Sequence, residues 1–470
     1  MAPTQKRVPA GRCSLAYSMP SLLVTDTLDT IVEGTAGGTD TIETALTTLS
    51  IAAIANVENL SYTGSSDFTG VGNGFSNLLQ GGEGNDQLVG GAGNDTLNGS
   101  GGFDILTGGI GNDVYVVNDL FDTIFENAAE GTDTVRTALL NFSIAALGDL
   151  ENIVFTGSAN AIGTGNAANN RITSGGGNDT LLGAAGNDVL SSGLGNDTLV
   201  GGAGNDVLIG GGGADNSYGG TGDDIYYVSD IGDAIIETTS ATGGIDTVRT
   251  TLTSLNLAAF AGVENVVFTG SADFSATGSA IGNQLTGGTG NDTLTDSLGG
   301  IDTLSGGAGN DILSSGAAND TLLGGSGNDT LNGGTGGDIL YGGDGNDILK
   351  GGAGADQIIG GAGADTIVFD TAPTTPTADR ITDYSVANDQ ISLSMAIFTS
   401  LGGETGALDG TMFYASATGL AHDANDRIIY NTASGALAYD ANGNAAGGAV
   451  VFAILTTHPA SVTAAEFAVI

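Results

Sequence analysis

The sequence predicts an all-β chain: a parallel β-solenoid in three blocks of short coils, with β-rich spacers between the blocks and a β-rich C-terminal cap. Three observations carry this reading. A nine-residue unit recurs in phase through much of the chain. Gly supplies 83 of the 470 residues, and 53 acidic residues stand against 9 Lys and Arg. An apolar residue follows two places after Asp in nearly every unit.

The unit reads GGEGNDQLV at 81–89, GGAGNDTLN at 90–98, GSGGFDILT at 99–107 and GGIGNDVYV at 108–116. A second block covers 174–227, and a third covers 287–368, interrupted by the extra residue Asp296. Nineteen units carry Asp at their sixth position. They are Asp86, Asp95, Asp104 and Asp113; then Asp179, Asp188, Asp197, Asp206, Asp215 and Asp224. The third block has Asp292, Asp302, Asp311, Asp320, Asp329, Asp338, Asp347, Asp356 and Asp365. A weaker unit with Asn in the Asp place precedes each block, at Asn77, Asn170 and Asn283.

Each part of the unit has a physical task. Six residues rich in Gly and Asn turn the chain, because Gly accepts positive φ without a Cβ clash. The three residues after Asp, such as Thr96-Leu97-Asn98, form a short strand whose middle side chain points inward. Two units make one coil of eighteen residues, and coils stack at about 4.8 Å, burying a ladder of Leu, Ile and Val. Asp86 then lies over Asp104, and Asp95 over Asp113. Two carboxylates about 4.8 Å apart repel by roughly 3.5 kcal/mol at an effective dielectric near 20. Ca²⁺ bonds oxygen at about 2.4 Å and spans that gap, with turn carbonyls as further ligands, whereas Mg²⁺ demands shorter, octahedral bonds. A flexible Gly/Asn linker would not keep its apolar residues in register, and a metal-free solenoid would not stack its carboxylates.

These units resemble the RTX (repeats-in-toxin) nonapeptide, Gly-Gly-x-Gly-x-Asp-x-apolar-x. The resemblance implies a right-handed parallel β-roll with Ca²⁺ in its turns, ligated by the nineteen Asp carboxylates and nearby backbone carbonyls. It also implies export by a type I secretion apparatus. Pairing each Asp with the one two units on gives about twelve Ca²⁺, which would bring the formal charge of −44 to about −20. Three units depart from the pattern. Ser217 fills the apolar slot of GGGGADNSY (210–218), while Ser192 and SGAANDTLL (315–323) alter the Gly positions, so weaker ion sites are expected there.

A longer repeat precedes each block: 26–64, 119–157 and 230–270. Asp29, Asp122 and Asp233 correspond, as do Asp40, Asp133 and Asp246, and the pairs Glu58-Asn59, Glu151-Asn152 and Glu264-Asn265. Turn formation and solvation account for these acids, with further Ca²⁺ binding as the alternative. Short β-type runs bounded by Gly suggest wider coils, and the stretch near Ile51–Ala55 has room for a short helix. The expected organisation is a disordered stretch at 1–21, spacers at 22–71, 117–164 and 228–277, and β-roll blocks at 72–116, 165–227 and 278–368. A cap with secretion signal occupies 369–470. The segments 378–394 and 425–444 read as strands and turns, and Asn442-Gly443 as a hairpin signal flanked by Asp440 and Asn444. This region resembles the C-terminal segment of serralysin-type proteases, including the acidic-then-apolar end Glu466-Phe-Ala-Val-Ile470.

The activity of those proteases does not carry over. His422 and His458 are the only histidines, and neither lies in a His-Glu-x-x-His motif. No Gly-x-Ser-x-Gly elbow and no phosphate loop occur. Tyr115, Tyr226 and Tyr227 read as packing residues, and Cys13 as an inert thiol outside any disulfide. So acidic a surface repels nucleic acid and anionic membranes. No run of 18 apolar residues exists, so no membrane span is expected, and Ser21–Val24 is too short for a signal-peptide core. The expectation is a secreted, non-enzymatic Ca²⁺-binding protein that folds outside the cell. A Ca²⁺-dependent surface adhesin or self-assembling protein is the first alternative, and a cryptic hydrolase or sugar-modifying enzyme the second.

Overall fold

The computed structural model describes residues 12–14, 21–27, 30–32, 38–237, 243–373, 377–443 and 448–470. Asp29 and Asn444 lie outside them, as does most of the stretch expected to be disordered. Within that stretch, Arg12–Ser14 forms a strand in parallel register with Thr30–Val32. The chain divides into two compact units, Met1–Gly244 and Ile245–Ile470, with the division inside the third spacer.

The first unit is a parallel β-solenoid. Along one face, strands such as Leu78–Gly82, Thr96–Ser100, Val114–Val117, Thr134–Thr137 and Asn152–Phe155 pair in sequence, each with the next. The opposite face starts as a five-stranded sheet from Thr48–Ser50 to Thr123–Phe125. It resumes as a six-stranded sheet from Asn141–Ser143 to Ala234–Ile235. Residues eighteen apart stand side by side in the repeat blocks: Leu88 beside Leu106, and Leu79 beside Leu97. The spacers join the same sheets as coils of other lengths, since Val114 pairs with Thr134.

Leu79, Leu88, Leu97, Leu106, Leu181, Leu190, Leu199 and Leu208 are fully buried, forming the expected ladder between the faces. In the spacers the ladder passes through Ile42, Leu60, Val135 and Ile153, also fully buried. Each Leu of this kind contributes about 1.5–3 kcal/mol of transfer free energy. Parallel stacked coils leave no other place for the alternating apolar residue than the interior.

Most repeat strands are longer than three residues, although Thr293–Thr295 and Ile312–Ser314 are not. Gln87–Ala92 and Ile105–Ile110 run on through the first three positions of the next unit, with Gly91 paired to Gly109. Ladder hydrogen bonds need only backbone, so Gly-Gly-x continues the strand and the turn shrinks to the residues just before Asp. In the repeat units positive φ falls mainly at the second and fourth positions, as at Gly109 (97°) and Gly111 (142°), with Gly299 (99°) a third-position exception.

The second unit repeats the construction from Thr247–Thr250 to Asp379–Ile381 on one face. Its other face is a ten-stranded sheet from Ser254–Asn256 to Gly406–Ala407. The inserted Asp296 shifts the register to nineteen residues, with Gln284 beside Thr303, and pairing then returns to eighteen. The expected helix is reduced to a 3-10 turn at Leu257–Ala259, capped by the Asn256 side chain; Ile51–Ala55 holds turns only.

Among the described residues, the C-terminal cap is the one place where strands run antiparallel. Ile428–Asn431 pairs with Ala436–Asp440, which pairs in turn with Ala449–Leu455. Asn442-Gly443 lies in the connection, and Asp440 accepts the Asn442 amide at 3.1 Å, which is turn chemistry. Phe467–Val469 closes the unit as a strand between Gln390–Leu393 and Gly406–Ala407.

Candidate metal centre

All nineteen repeat Asp residues are at most 3 % exposed. They do not face one another as bare carboxylate pairs. Oδ1 of each accepts a backbone amide from the coil before it. The Asp86 amide donates to Asp104 at 2.8 Å, Asp95 to Asp113 at 2.7 Å and Asp188 to Asp206 at 2.7 Å. The third block repeats this, with Asp311 donating to Asp329 and Asp329 to Asp347, both at 2.8 Å. One half of each carboxylate is therefore spent on holding neighbouring coils.

The other half has no such use. Oδ2 of Asp86, Asp95, Asp104, Asp206, Asp311, Asp329, Asp338 and Asp347, among others, is buried without a hydrogen-bond partner among the described residues. It faces the Gly that opens its own unit. A Cβ built on Gly90 would stand 2.3 Å from Asp95 Oδ2 and 2.7 Å from the Gly108 carbonyl oxygen. At Gly342 the same point lies 2.3 Å from Asp347 Oδ2 and 2.4 Å from the Gly360 carbonyl oxygen. Two acceptors thus converge on one small space with no donor between them. A bound cation satisfies both, and an all-oxygen set suits Ca²⁺.

Electrostatics agree with the geometry. Burial pushes Asp95 up to about 7 and Asp188, Asp206 and Asp329 up to about 6. The amide hydrogen bonds pull the other way without cancelling it. A buried carboxylate without counter-charge is costly, and a bound ion removes that cost.

Asn at the fifth position builds a second ladder in the opposite sense, beyond the role in turn formation expected of it. Asn94 Oδ1 accepts the Asn112 amide at 2.9 Å, and Asn310 Oδ1 accepts the Asn328 amide at 2.7 Å. Asn and Asp together bond each coil to both neighbours, which explains their joint recurrence.

The unusual units differ in one specific way. Ser174, Ser192 and Ser315 replace the opening Gly. Ser192 Oγ donates to the Gly210 carbonyl at 2.8 Å, and Ser315 Oγ to the Gly333 carbonyl at 2.6 Å. The carbonyl that elsewhere faces Oδ2 is already engaged there. Ser217 occupies the core row between Leu199 and Ile235.

The carboxylate ladder extends beyond the nineteen. Asp133 accepts the Asp113 amide at 2.7 Å, and Glu151 accepts the Asp133 amide at 2.7 Å. Asp122 and Asp233 accept from Asp104 and Asp215. In the cap, Asp379 and Asp389 receive the amides of Asp356 and Asp365. Asp-Thr-apolar in the spacers is the signal that marks Asp133. Asp379 and Asp389 come 23 and 24 residues on, outside the period. Asp296, at first sight a mere interruption, is fully buried, with its Oδ2 in the space before Gly278.

The family model for the RTX calcium-binding nonapeptide repeat matches residues 71–106, 89–124, 155–190, 164–199, 191–226, 277–299, 296–331 and 332–367. The chain belongs to the RTX calcium-binding repeat family. Its repeats bind calcium, and the RTX matches fall on the blocks whose Asp rows are described above. Among solved structures, the chain is similar to the AlgE6R3 subunit of the Azotobacter vinelandii mannuronan C5-epimerase, solved in solution. Identity is 30 %, over 32 % of this chain and 78 % of that one, with a TM-score of 0.23. No curated protein matches the chain. The RTX matches end at residue 367, ahead of the cap. Among the described residues no helix is long and apolar enough to cross a membrane.

Proposed function

We propose that this RTX protein is secreted and non-enzymatic, exported by a type I secretion apparatus, and folded by the Ca²⁺ it meets outside the cell. The observation that supports this reading is the row of buried Oδ2 atoms facing Gly carbonyls. Such a row opposes folding while it is empty and favours folding once cations fill it. A chain kept unfolded where Ca²⁺ is scarce suits passage through an export channel, and millimolar Ca²⁺ outside then acts as a ligand of the native state alone.

The nineteen repeat Asp residues would hold the ions through Oδ2, with the carbonyls of the opening Gly residues beside them. Ca²⁺ supplies charge neutralisation there. The chain's own amides orient each carboxylate through Oδ1. Asp179, Asp197 and Asp320, next to Ser174, Ser192 and Ser315, would hold ions less tightly. The total would then fall below about twelve.

The C-terminal end fits the same reading. Glu466-Phe-Ala-Val-Ile470 resembles a secretion signal, and in the folded protein it is drawn into a sheet, with Phe467 fully buried. Circular dichroism of the purified full chain with and without chelator tests the proposal. Strand content should fall on Ca²⁺ removal and return on its addition. Unchanged strand content without Ca²⁺ would sink it.

A surface role is the second reading, and exposed aromatics favour it. Phe103 (56 % exposed) and Phe121 (69 %) pack edge to face on the outside of the first unit. Light scattering across a Ca²⁺ titration tests it: a monomer at every concentration argues against self-assembly.

A further inference from the structure

The first two repeat blocks end differently from how they run. Within a block, the opening Gly of one unit provides a carbonyl to the Asp pocket one coil earlier, as Gly108 does for Asp95. The residue eighteen places after Gly108 is Glu126, and the residue eighteen places after Gly219 is Glu237. The strand register makes this correspondence structural, since Ile105 pairs with Thr123 and Asn216 with Ala234. Glu therefore stands in the Gly place of the coil that follows each block.

A side chain fits there because the coil has changed. The unit opened by Glu126 has Gly131 where Asp would come, and the unit opened by Glu237 has Thr242. Asp133 arrives two residues late and still accepts the Asp113 amide at 2.7 Å.

The space before Gly108 is lined by different atoms from those within the block. A Cβ there would stand 2.1 Å from Asp113 Oδ2 and 2.3 Å from the Tyr115 hydroxyl. Tyr115 is fully buried; its oxygen accepts the Gly108 amide at 2.8 Å and its proton goes to Glu126. Oxygens of Asp113, Glu126 and Asp133 lie within 4.8 Å of one another. Asp113 is 1 % exposed, and its Oδ2, aimed into this cluster, finds no partner among the described residues. The second block repeats the arrangement. Tyr226 hydroxyl, Asp224 Oδ2 and Glu237 Oε1 lie 1.9, 2.1 and 2.4 Å from the Cβ position of Gly219.

We propose that each of these two blocks closes on a divalent-cation site built from side chains. In the first, Asp113, Glu126 and Asp133 are the ligands, with the Tyr115 hydroxyl at its wall. In the second, Asp224 and Glu237 are ligands beside Tyr226. The Glu carboxylate takes over from the missing Gly carbonyl. Hard oxygen donors with two or three negative charges select Ca²⁺ over softer metals. This rests on the calcium reading of the repeats and adds a second chemical class of site, at the ends of blocks.

Ion counting on the intact chain by native mass spectrometry tests it, using Ca²⁺ as the probe. The double variant E126Q/E237Q should bind two ions fewer than the wild type. Tb³⁺ provides an independent measurement, because the chain has no Trp and only a nearby Tyr can sensitise the ion. The variant Y115F/Y226F should lose about half or more of the Tyr-excited Tb³⁺ emission. An unchanged Ca²⁺ count in E126Q/E237Q overturns the proposal. Should that variant lose its strand signal, unchanged emission from Y115F/Y226F overturns it alone. A wild type that binds no Ca²⁺ would overturn the calcium reading of the repeats instead.

Discussion

The amide of Asp86 donates to Oδ1 of Asp104 across 2.8 Å, between residues one full coil apart. Asp104 is thereby both a splint between coils and, through its second oxygen, a buried acceptor with no hydrogen-bond donor among the described residues. The two oxygens of one carboxylate have separate tasks, and substitutions can separate them.

Asp329→Asn keeps the acceptor for the Asp311 amide and removes the charge. The expected effect changes sign with the medium. In chelator the variant is more stable than the wild type, because a buried uncompensated charge is gone. In Ca²⁺ it binds one ion fewer and is less stable, by about 1–3 kcal/mol. Thermal unfolding in both media checks this; a shift of the same sign in both would contradict it.

The metal-free chain should lose stability as pH rises. Asp95 titrates near 7, and Asp104 and Asp188 near 6, burial being the first cause in each. In the unfolded chain such groups titrate near 3.9, so between about pH 4 and 7 the folded state binds more protons. Stability is full below about pH 4 and is lost as pH passes through 6 to 7. Denaturant unfolding in chelator, followed across that range, should show the midpoint falling with pH. Saturating Ca²⁺ should flatten the fall, with protons released as ions bind. A midpoint in chelator that rises with pH would refute the assignment.

Ser315→Gly should tighten Ca²⁺ binding at Asp320. The substitution frees the Gly333 carbonyl from the hydroxyl that holds it at 2.6 Å. Calorimetric titration of the full chain should show one site moved to higher affinity by about ten-fold, the equivalent of one charge-assisted ligand bond of about 1.4 kcal/mol. Ser192→Gly should do the same for Asp197.

Gly327→Ala should be strongly destabilising. Its φ is 127°, and the added Cβ would sit 1.8 Å from the Gly309 carbonyl oxygen. The cost exceeds the about 1 kcal/mol that an unstrained Gly-to-Ala exchange involves. Gly101→Ala is the control, since the nearest atom to its Cβ would be 3.9 Å away. Its unfolding midpoint should stay within about 0.5 kcal/mol of the wild type. Equal losses in the two variants would contradict this account of the fourth position.

Much of the site was legible because charge and apolarity share one period. Asp86, Leu88 and Gly90 recur every nine residues, so the core row, the carboxylate row and the turn follow from counting. The length of the strands was not legible, because Gly at Gly90 and Gly91 reads as turn although its backbone pairs as well as any other. Glu126 and Tyr115 were missed for another reason. Their meeting depends on Glu126 falling in a Gly place one coil after Gly108, in a segment with no visible unit. Asp379 and Asp389 were hidden by loops that lengthen the coil, and Asp296 by looking like an error in the period.

The amide-to-carboxylate contact is kept when residue separation changes. It spans 18 residues between Asp86 and Asp104, 19 between Asp292 and Asp311, 20 between Asp113 and Asp133, and 24 between Asp365 and Asp389. What the stack counts is the arrival of the next acid, and the slack between arrivals is absorbed in the turns. Such a chain absorbs extra residues between acids without realigning the coils downstream, as at Asp296 in the third block. It is a text that can be edited between words, and its three modules of unequal block length read as the record of that editing.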